Sequence, residues 1–193
     1  MRVFVAGATG VIGSRVVPLL VDRGCRVAGM TRSAGKAGRL SEVGATPVVC
    51  DVYDMLSLER AVLDHRPDLM LHLLTDLPDD ESELPLHTAA NARIRREGTR
   101  NLLGAAAAAG TRRFVAQSVA WQLPGDGGAA VEELETLVLA ADGVVLRFGQ
   151  FHGPGTFHPE PPAPPRVHID TAARRAVDAL GHSSGVITIL DDP

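Results

Sequence analysis

Apolar residues recur along this chain in two alternating patterns. Short runs rich in Val, Leu and Ile, at 3–6, 26–30, 47–50, 69–73, 113–117, 144–148 and 185–190, have the length and composition of buried strands. Between them apolar residues fall three and four apart, predicting helices over about 11–23, 37–43, 56–65, 88–109, 129–141 and 171–180. Strand followed by helix, repeated along the chain, is the pattern of a parallel sheet covered on both faces. The expected architecture is α/β, a doubly wound parallel sheet of the Rossmann kind with about seven strands, in a single domain over 1–193. Gly24, Gly110 and Gly143 stand where three of the helices should stop. Pro18 lies inside the first helix and predicts a mild kink.

Three stretches break the alternation. The acidic, proline-containing segment 76–86 is expected to move over a site, and 119–128 reads as a flexible turn of about ten residues. Five prolines within 159–165 predict a stiff extended connection.

The first strand runs into Gly7, and a helical pattern opens at Val11, so Gly7, Gly10 and Gly13 hold the three positions of a phosphate-binding strand–turn–helix. Gly7 permits the tight turn, Gly10 lets the backbone approach a pyrophosphate, and Gly13 lets the helix lie close on the strand. Thr9, Val11 and Ile12 belong to the same turn, and the helix N-terminus offers free N–H groups to the anion. At the end of the second strand, where a carboxylate would bind a ribose 2′-hydroxyl, stands Thr31-Arg32-Ser33. A guanidinium there suits a 2′-phosphate, with Lys36 as further charge, so NADP(H) is expected over NAD(H). Asp51-Val52 closes the third strand, where it would flank an adenine or cap the next helix; the two roles are compatible. His72, inside an apolar strand, reads as a packed core residue rather than a catalyst. Ser118 ends the fifth strand, at the edge of the sheet where ligands bind.

Composition narrows the function. A chain of 193 residues with 45% hydrophobic content can bury one substantial core, and with 4% aromatic residues that core must be Val, Leu, Ile and Ala. The net charge of −4 argues against a nucleic-acid partner, and Arg93, Arg95 and Arg96 read as a solvated helix face. Cys25 and Cys50 make neither a disulfide framework nor a zinc set, so no metal site is expected and a reducing, cytoplasmic location fits. No signal peptide precedes the first strand and no apolar run reaches membrane-spanning length, so no membrane partner is expected. Lys36 is the only lysine and Tyr53 the only tyrosine.

Six stretches follow one another in a telling order: Val5-Ala-Gly-Ala-Thr-Gly-Val-Ile-Gly13, His72-Leu-Leu-Thr75, Asn91 through Gly98-Thr-Arg-Asn-Leu-Leu103, Arg113-Phe-Val-Ala-Gln-Ser118, Leu146-Arg-Phe-Gly-Gln-Phe-His-Gly-Pro-Gly155 and Val167-His-Ile-Asp170. Through them the chain resembles the extended or atypical short-chain dehydrogenase/reductases of the NAD-dependent epimerase/dehydratase type. The resemblance implies a cofactor lying across the strand ends. It would touch the glycine turn, Arg32, Asp51, Val52, Leu73, Leu74, Thr75 and Ser118, with Phe148, Gly149, Gln150 and Phe151 beside the nicotinamide. It also implies a homodimer in which helices 88–109 and 129–141 pair with a second copy. Leu102, Leu103, Val131, Leu134, Leu137 and Val138 would serve that contact, unless the chain's own core takes them.

The departures from the resemblance are as informative. Family members carry a Tyr-x-x-x-Lys pair on the fifth helix, the tyrosine exchanging the substrate proton and the lysine lowering its pKa. Aligning Glu135 with the glutamate that follows that pair puts Gly127 and Val131 in its place. Tyr53 and Lys36 belong to the adenosine half, so ordinary tyrosine-based hydride chemistry is unsupported. The region of about 149–185, where relatives insert a substrate subdomain, is reduced to the proline connection, leaving a pocket that is shallow or completed by a partner subunit.

The reading is an NADP(H)-binding enzyme acting on a small, specialised metabolite, in which Ser118 polarises a substrate group. His152, expected to titrate near neutrality, or Gln150 would assist it. Non-redox catalysis on the same scaffold (dehydration, isomerisation or cyclisation) and a non-catalytic cofactor sensor are the alternatives.

Overall fold

The computed structural model describes residues 1–192. A seven-stranded parallel sheet runs through its middle. Its strands are β1 (Arg2–Ala6), β2 (Arg26–Thr31), β3 (Thr46–Val49), β4 (Leu69–His72), β5 (Arg113–Val119), β6 (Val144–Phe148) and, last in the chain, β9 (Gly185–Ile189). Their order is β3-β2-β1-β4-β5-β6-β9, so the winding reverses between β1 and β4. Ala6 stands in register with Met30 on one side and His72 on the other, and the carboxyl ends of these strands therefore finish level. That edge, at the reversal, is where an open α/β sheet offers a crevice.

Helices cover both faces. Val3, Val5, Leu69, Leu71, Val115, Val144 and Leu146 pack with α1 (Gly13–Asp22), α7 (Ile169–Ala179) and Leu40 of α2 (Ala34–Glu42). The alternate residues Phe4, Ala6, Met30, Met70, Phe114, Ala116 and Val145 pack on the other face. They meet α3 (Met55–His65), α5 (Thr99–Ala108) and α6 (Gly125–Ala140). The core is aliphatic, as the composition requires. α1 runs through Pro18 without ending.

Four features differ from the reading of the sequence. The helix expected over 88–109 starts earlier, as α4 (Leu84–Arg93), and passes through a π-turn, Ile94–Gly98, before continuing as α5. Arg95 in that turn is buried rather than solvated, at 7% exposure, while Arg93 stays exposed. α6 begins at Gly125, inside the glycine run expected to be a flexible turn, leaving 120–124 as the connection. Its start has a local cause. A side chain at Gly128 would run into the Leu123 carbonyl, and Asp126 in the first turn is held by Arg96 and suits the positive helix end. Finally, β7 (Gln150–His152) and β8 (Arg166–His168) form a small parallel pair that ties down both ends of the proline-rich connection.

Three of the side chains expected at a subunit contact, Leu102, Leu134 and Val138, belong to the chain's own core, because α5 and α6 pack on the same face of the sheet. Val131, Leu103 and Leu137 are half-buried. Among the described residues no helix is long and apolar enough to cross a membrane.

Candidate functional site

The crevice at the β1–β4 reversal is built from the glycine turn. Gly7 has a φ of +89°, and a Cβ there would stand 2.8 Å from the Leu73 carbonyl carbon, so both backbone shape and β4 demand glycine. A side chain on Gly13 would run into the Gly7 carbonyl oxygen, which accepts a 3.1 Å hydrogen bond from the Gly10 amide. Gly10 is different. It is exposed, and a Cβ there would meet only Gly7 O, at an ordinary 3.4 Å. The protein itself does not need glycine at position 10; a group approaching from outside would. Among the described residues the amides of Val11, Ile12 and Gly13 find no acceptor; Val11 is exposed, while Ile12 and Gly13 are buried. Bare backbone with free N–H groups at a helix start fits a pyrophosphate.

The rim is held by polar contacts between elements. Thr9 Oγ1 lies 2.9 Å from Thr31 Oγ1, which also accepts from the Ser33 amide at 3.2 Å, so the Thr9 hydroxyl locks the turn to the end of β2. Arg32 projects beyond β2, half exposed, with Asp76 Oδ1 at 3.1 Å. The carboxylate missing after β2 is thus supplied from the loop after β4, and Asn91 Oδ1 holds the Asp76 amide at 3.2 Å. Asp51 turns the chain by accepting from the Tyr53 amide at 2.9 Å; Val52 is buried beneath it, and its carbonyl accepts from Asn101. Leu73 is buried, its amide donating 2.8 Å to Ala6, and Leu74 and Thr75 are half-buried beside it.

Several expected chemical groups are occupied. Ser118 is 3% exposed, and its hydroxyl donates 2.6 Å to Glu135 Oε1 on α6, so it is not the open donor read from the sequence. Arg147 donates to both oxygens of the same carboxylate. Burial pushes the Glu135 carboxyl up, but the bonds from Arg147 and Ser118 and the charges of Arg147 and Arg95 outweigh it, holding the pKa below the ordinary value. His152 is 7% exposed, with Nε2 at 2.7 Å from Asp191 and its ring edge-on to His168 at 5.3 Å. It clamps β7 to the chain's end rather than facing the crevice. Asp191 also accepts from the His168 amide.

Phe148 is buried, 5.3 Å from the half-buried Phe151, and Gly149 has no room for a side chain, because Arg166 backbone passes at 2.6 Å from its Cβ position. Of the stretch expected beside the nicotinamide, Gln150 and Phe151 alone remain partly open.

His72 is a core residue, as expected. Nδ1 accepts from the Leu74 amide at 3.2 Å and Nε2 meets Thr99 Oγ1 at 3.1 Å, so the bonds assign a neutral ring protonated at Nε2. Burial, with the Arg95 charge, takes its pKa to about 3. Tyr53 lies under the Arg93 guanidinium, 3.9 Å from the ring centroid. Its hydroxyl is pushed up by burial, against the pull of Arg93, and is a weaker acid than a free tyrosine. On α6, Gly127 and Val131 are half-buried and carry no titratable group.

Fold and turn together define a dinucleotide-binding α/β protein. More specifically, the chain belongs to the NAD dependent epimerase/dehydratase family, whose model matches residues 3–141. It is 36% identical over 236 residues to a 3-diazoavenalumate denitrifying reductase from a Streptomyces species, across 100% of this chain and 76% of that protein. That alignment is longer than the chain's 193 residues, so the relative has segments that this chain lacks. It is 31% identical over 134 residues to a dTDP-4-dehydrorhamnose reductase of Streptomyces griseus, across 68% of this chain and 38% of that one. Among solved structures it resembles UDP-glucose 4-epimerase of Thermotoga maritima, with a TM-score of 0.81 at 20% identity over 98% of this chain and 77% of that one. The Bordetella bronchiseptica enzyme WbmH in complex with NAD+ gives 0.77 at 21% identity, over 98% and 75%. These last likenesses show the fold. The family and the reductase relative make this protein an NAD(P)-dependent enzyme of the epimerase/dehydratase or reductase kind.

Two predictions follow from the packing. Gly10→Ala should melt within about 2 °C of the parent, because its Cβ makes only an ordinary contact with the Gly7 carbonyl oxygen, yet bind dinucleotide at least about tenfold more weakly, a loss of about 1.4 kcal/mol. Gly13→Ala should lose stability and binding together. Thermal melts paired with calorimetric titration check both, and unchanged affinity in Gly10→Ala would remove the pyrophosphate from this turn.

Glu135→Gln should cost about 1–3 kcal/mol in urea unfolding, since it weakens two bonds to a buried carboxylate. A carboxyl with a depressed folded pKa stabilises fully above its unfolded pKa of about 4.3 and loses that contribution as pH falls through the folded value. The difference between parent and variant should therefore be constant above about pH 5 and shrink in more acid solution.

Proposed function

We propose that this protein is an NADP(H)-dependent reductase that removes the diazo group from a small aromatic carboxylate. The observation that carries the reading is the absence of a proton donor where the family's chemistry needs one. Gly127 and Val131 occupy the Tyr and Lys positions of α6, Ser118 is bound to Glu135, and Tyr53 is covered by Arg93. A carbonyl reduction requires a proton with the hydride; displacement of dinitrogen does not. The relative named a 3-diazoavenalumate denitrifying reductase, which matches all of this chain over 76% of its own length, supports that class of substrate.

A bound reduced nicotinamide would supply the hydride that replaces the diazonium group of such a substrate, with dinitrogen as the leaving group. The chain's residues bind, orient and exclude water. The turn at Gly10 and the amides of Val11 to Gly13 would hold the pyrophosphate. Arg32 would take the 2′-phosphate, exchanging Asp76 for a stronger anion. Gln150 and Phe151 would border the reactive ring.

Deuterium labelling tests the reaction. With cofactor deuterated on its transferring carbon and diazotised 3-amino-4-hydroxycinnamate, deuterium should appear at the ring carbon that held nitrogen, well above the enzyme-free rate. Label taken from heavy water instead, or no acceleration, would sink the reading. For the cofactor, Arg32→Ala should weaken NADPH at least about tenfold, about 1.4 kcal/mol, and leave NADH within about twofold. Equal losses for both would reject the 2′-phosphate assignment.

A further inference from the structure

Most arginines around the π-turn have an acid. Arg93 is paired with Glu97, Arg96 with Asp126 and Glu133, and Arg100 with Glu133. Arg95 is the most buried of the group and, among the described residues, makes no side-chain hydrogen bond and no ion pair. The buried side-chain atoms left without partners are His65 Nε2, Thr111 Oγ1 and Gln117 Oε1. The Arg95 nitrogens are not among them, so the guanidinium keeps a narrow access to solvent at 7% residue exposure.

Its place in the fold is at the carboxyl edge of the sheet. The Arg95 carbonyl accepts from the Thr99 hydroxyl, which in turn meets His72 at the end of β4. On the other side is Glu135 of α6, close enough for its charge to act on Arg95. Glu135 compensates that charge only from a distance: its oxygens are bonded to Ser118 and Arg147, and it makes no hydrogen bond or ion pair with Arg95. Burial pulls the guanidinium pKa down against the pull of Glu135, yet arginine stays charged near neutrality. The π-turn puts an extra residue into the helix at this point, a device common at functional sites.

A buried cation without a partner is costly, and its cost is recovered when an anion arrives. The Gly7–Gly13 turn that suits a pyrophosphate follows β1, whereas Arg95 lies in the π-turn that packs on α6 and meets the end of β4 through Thr99 and His72. We propose that Arg95 is the anchor for the substrate's carboxylate, its planar guanidinium taking both oxygens and fixing the aromatic acid at the carboxyl edge between β4 and α6. This rests on the reading of the crevice as a reductase site and adds the group by which the substrate is held.

The experiment measures binding without turnover, using the full chain saturated with NADP+ and titrated calorimetrically with trans-cinnamate and with cinnamamide. The parent should prefer the acid by at least about tenfold. In Arg95→Met that preference should fall to within about twofold, with NADP+ affinity unchanged and a melting temperature equal to or above the parent's, because an uncompensated charge has gone. Arg95→Lys should keep part of the preference, a point charge without the bidentate fit. Equal binding of acid and amide by the parent, or a preference that survives in Arg95→Met, would overturn the proposal. So would inorganic phosphate binding in an Arg95-dependent way where cinnamate does not. Failure of diazo reduction would strike the reaction alone, since the acid–amide preference is read without it.

Discussion

The close approach of α1 to β1 is the constraint on which this structure depends. It exists because nothing projects from Gly13 toward the Gly7 carbonyl and nothing from Gly7 toward Leu73. Three backbones therefore meet without side chains between them, and the register of β1 with both β2 and β4 carries that meeting along the sheet. Binding geometry is thus a by-product of packing, and it survives even where the residues of the chemical step have changed. Gly10 is the exception that gives the turn its purpose, since the chain's own packing has no use for its bareness.

That turn was legible in the sequence because its glycines stand at fixed spacing between a strand and a helix. The sheet was legible because each strand is a short aliphatic run. What escaped was set by partners distant in sequence. Ser118 reads as an open strand-end hydroxyl, yet it shares its side of β5 with Phe114 and Ala116, which face the helices of the second core layer. Parity along the strand thus directs Ser118 at α6, where Glu135 waits seventeen residues on. Arg95 reads as solvated beside Arg93 and Arg96 because all three are charged, yet it lies three and four residues from buried Ala92 and Thr99 and is buried with them. The early start of α6 escaped because Gly125, Gly127 and Gly128 resemble a loop, although Gly128 is needed where the helix passes Leu123. The partnering of His152 with Asp191 lay beyond any local pattern.

Charge pairing divides the molecule into a braced frame and a responsive edge. Arg15 joins α1 to Asp170 on α7 and to the Pro154 carbonyl, Arg23 reaches Asp178, and Arg147 ties β6 to α6 through Glu135. The exposed pairs of Arg15 and Arg23 contribute little each and serve to hold elements in place, whereas Arg147 meets a buried carboxylate. Arg32 with Asp76 is a pair of another sort, half exposed, at the rim of the crevice, and open to exchange with an incoming anion. Arg95 has no pair at all among the described residues.

The proton inventory of the carboxyl edge then limits the chemistry. His72 is neutral, with a pKa of about 3, and its one ring proton is bonded to Thr99. Ser118 gives its proton to a carboxylate that arginine keeps ionised. Tyr53 stands beside Arg93, with its pKa raised. His72, Ser118 and Tyr53 are thus each committed to other contacts, and Arg95 makes no ion pair among the described residues. An edge of this kind favours a reaction whose leaving group departs as a neutral gas and whose substrate is held by charge. One buried ion pair can fix a small aromatic acid against a bound cofactor, where a sugar nucleotide would need an extended polar surface.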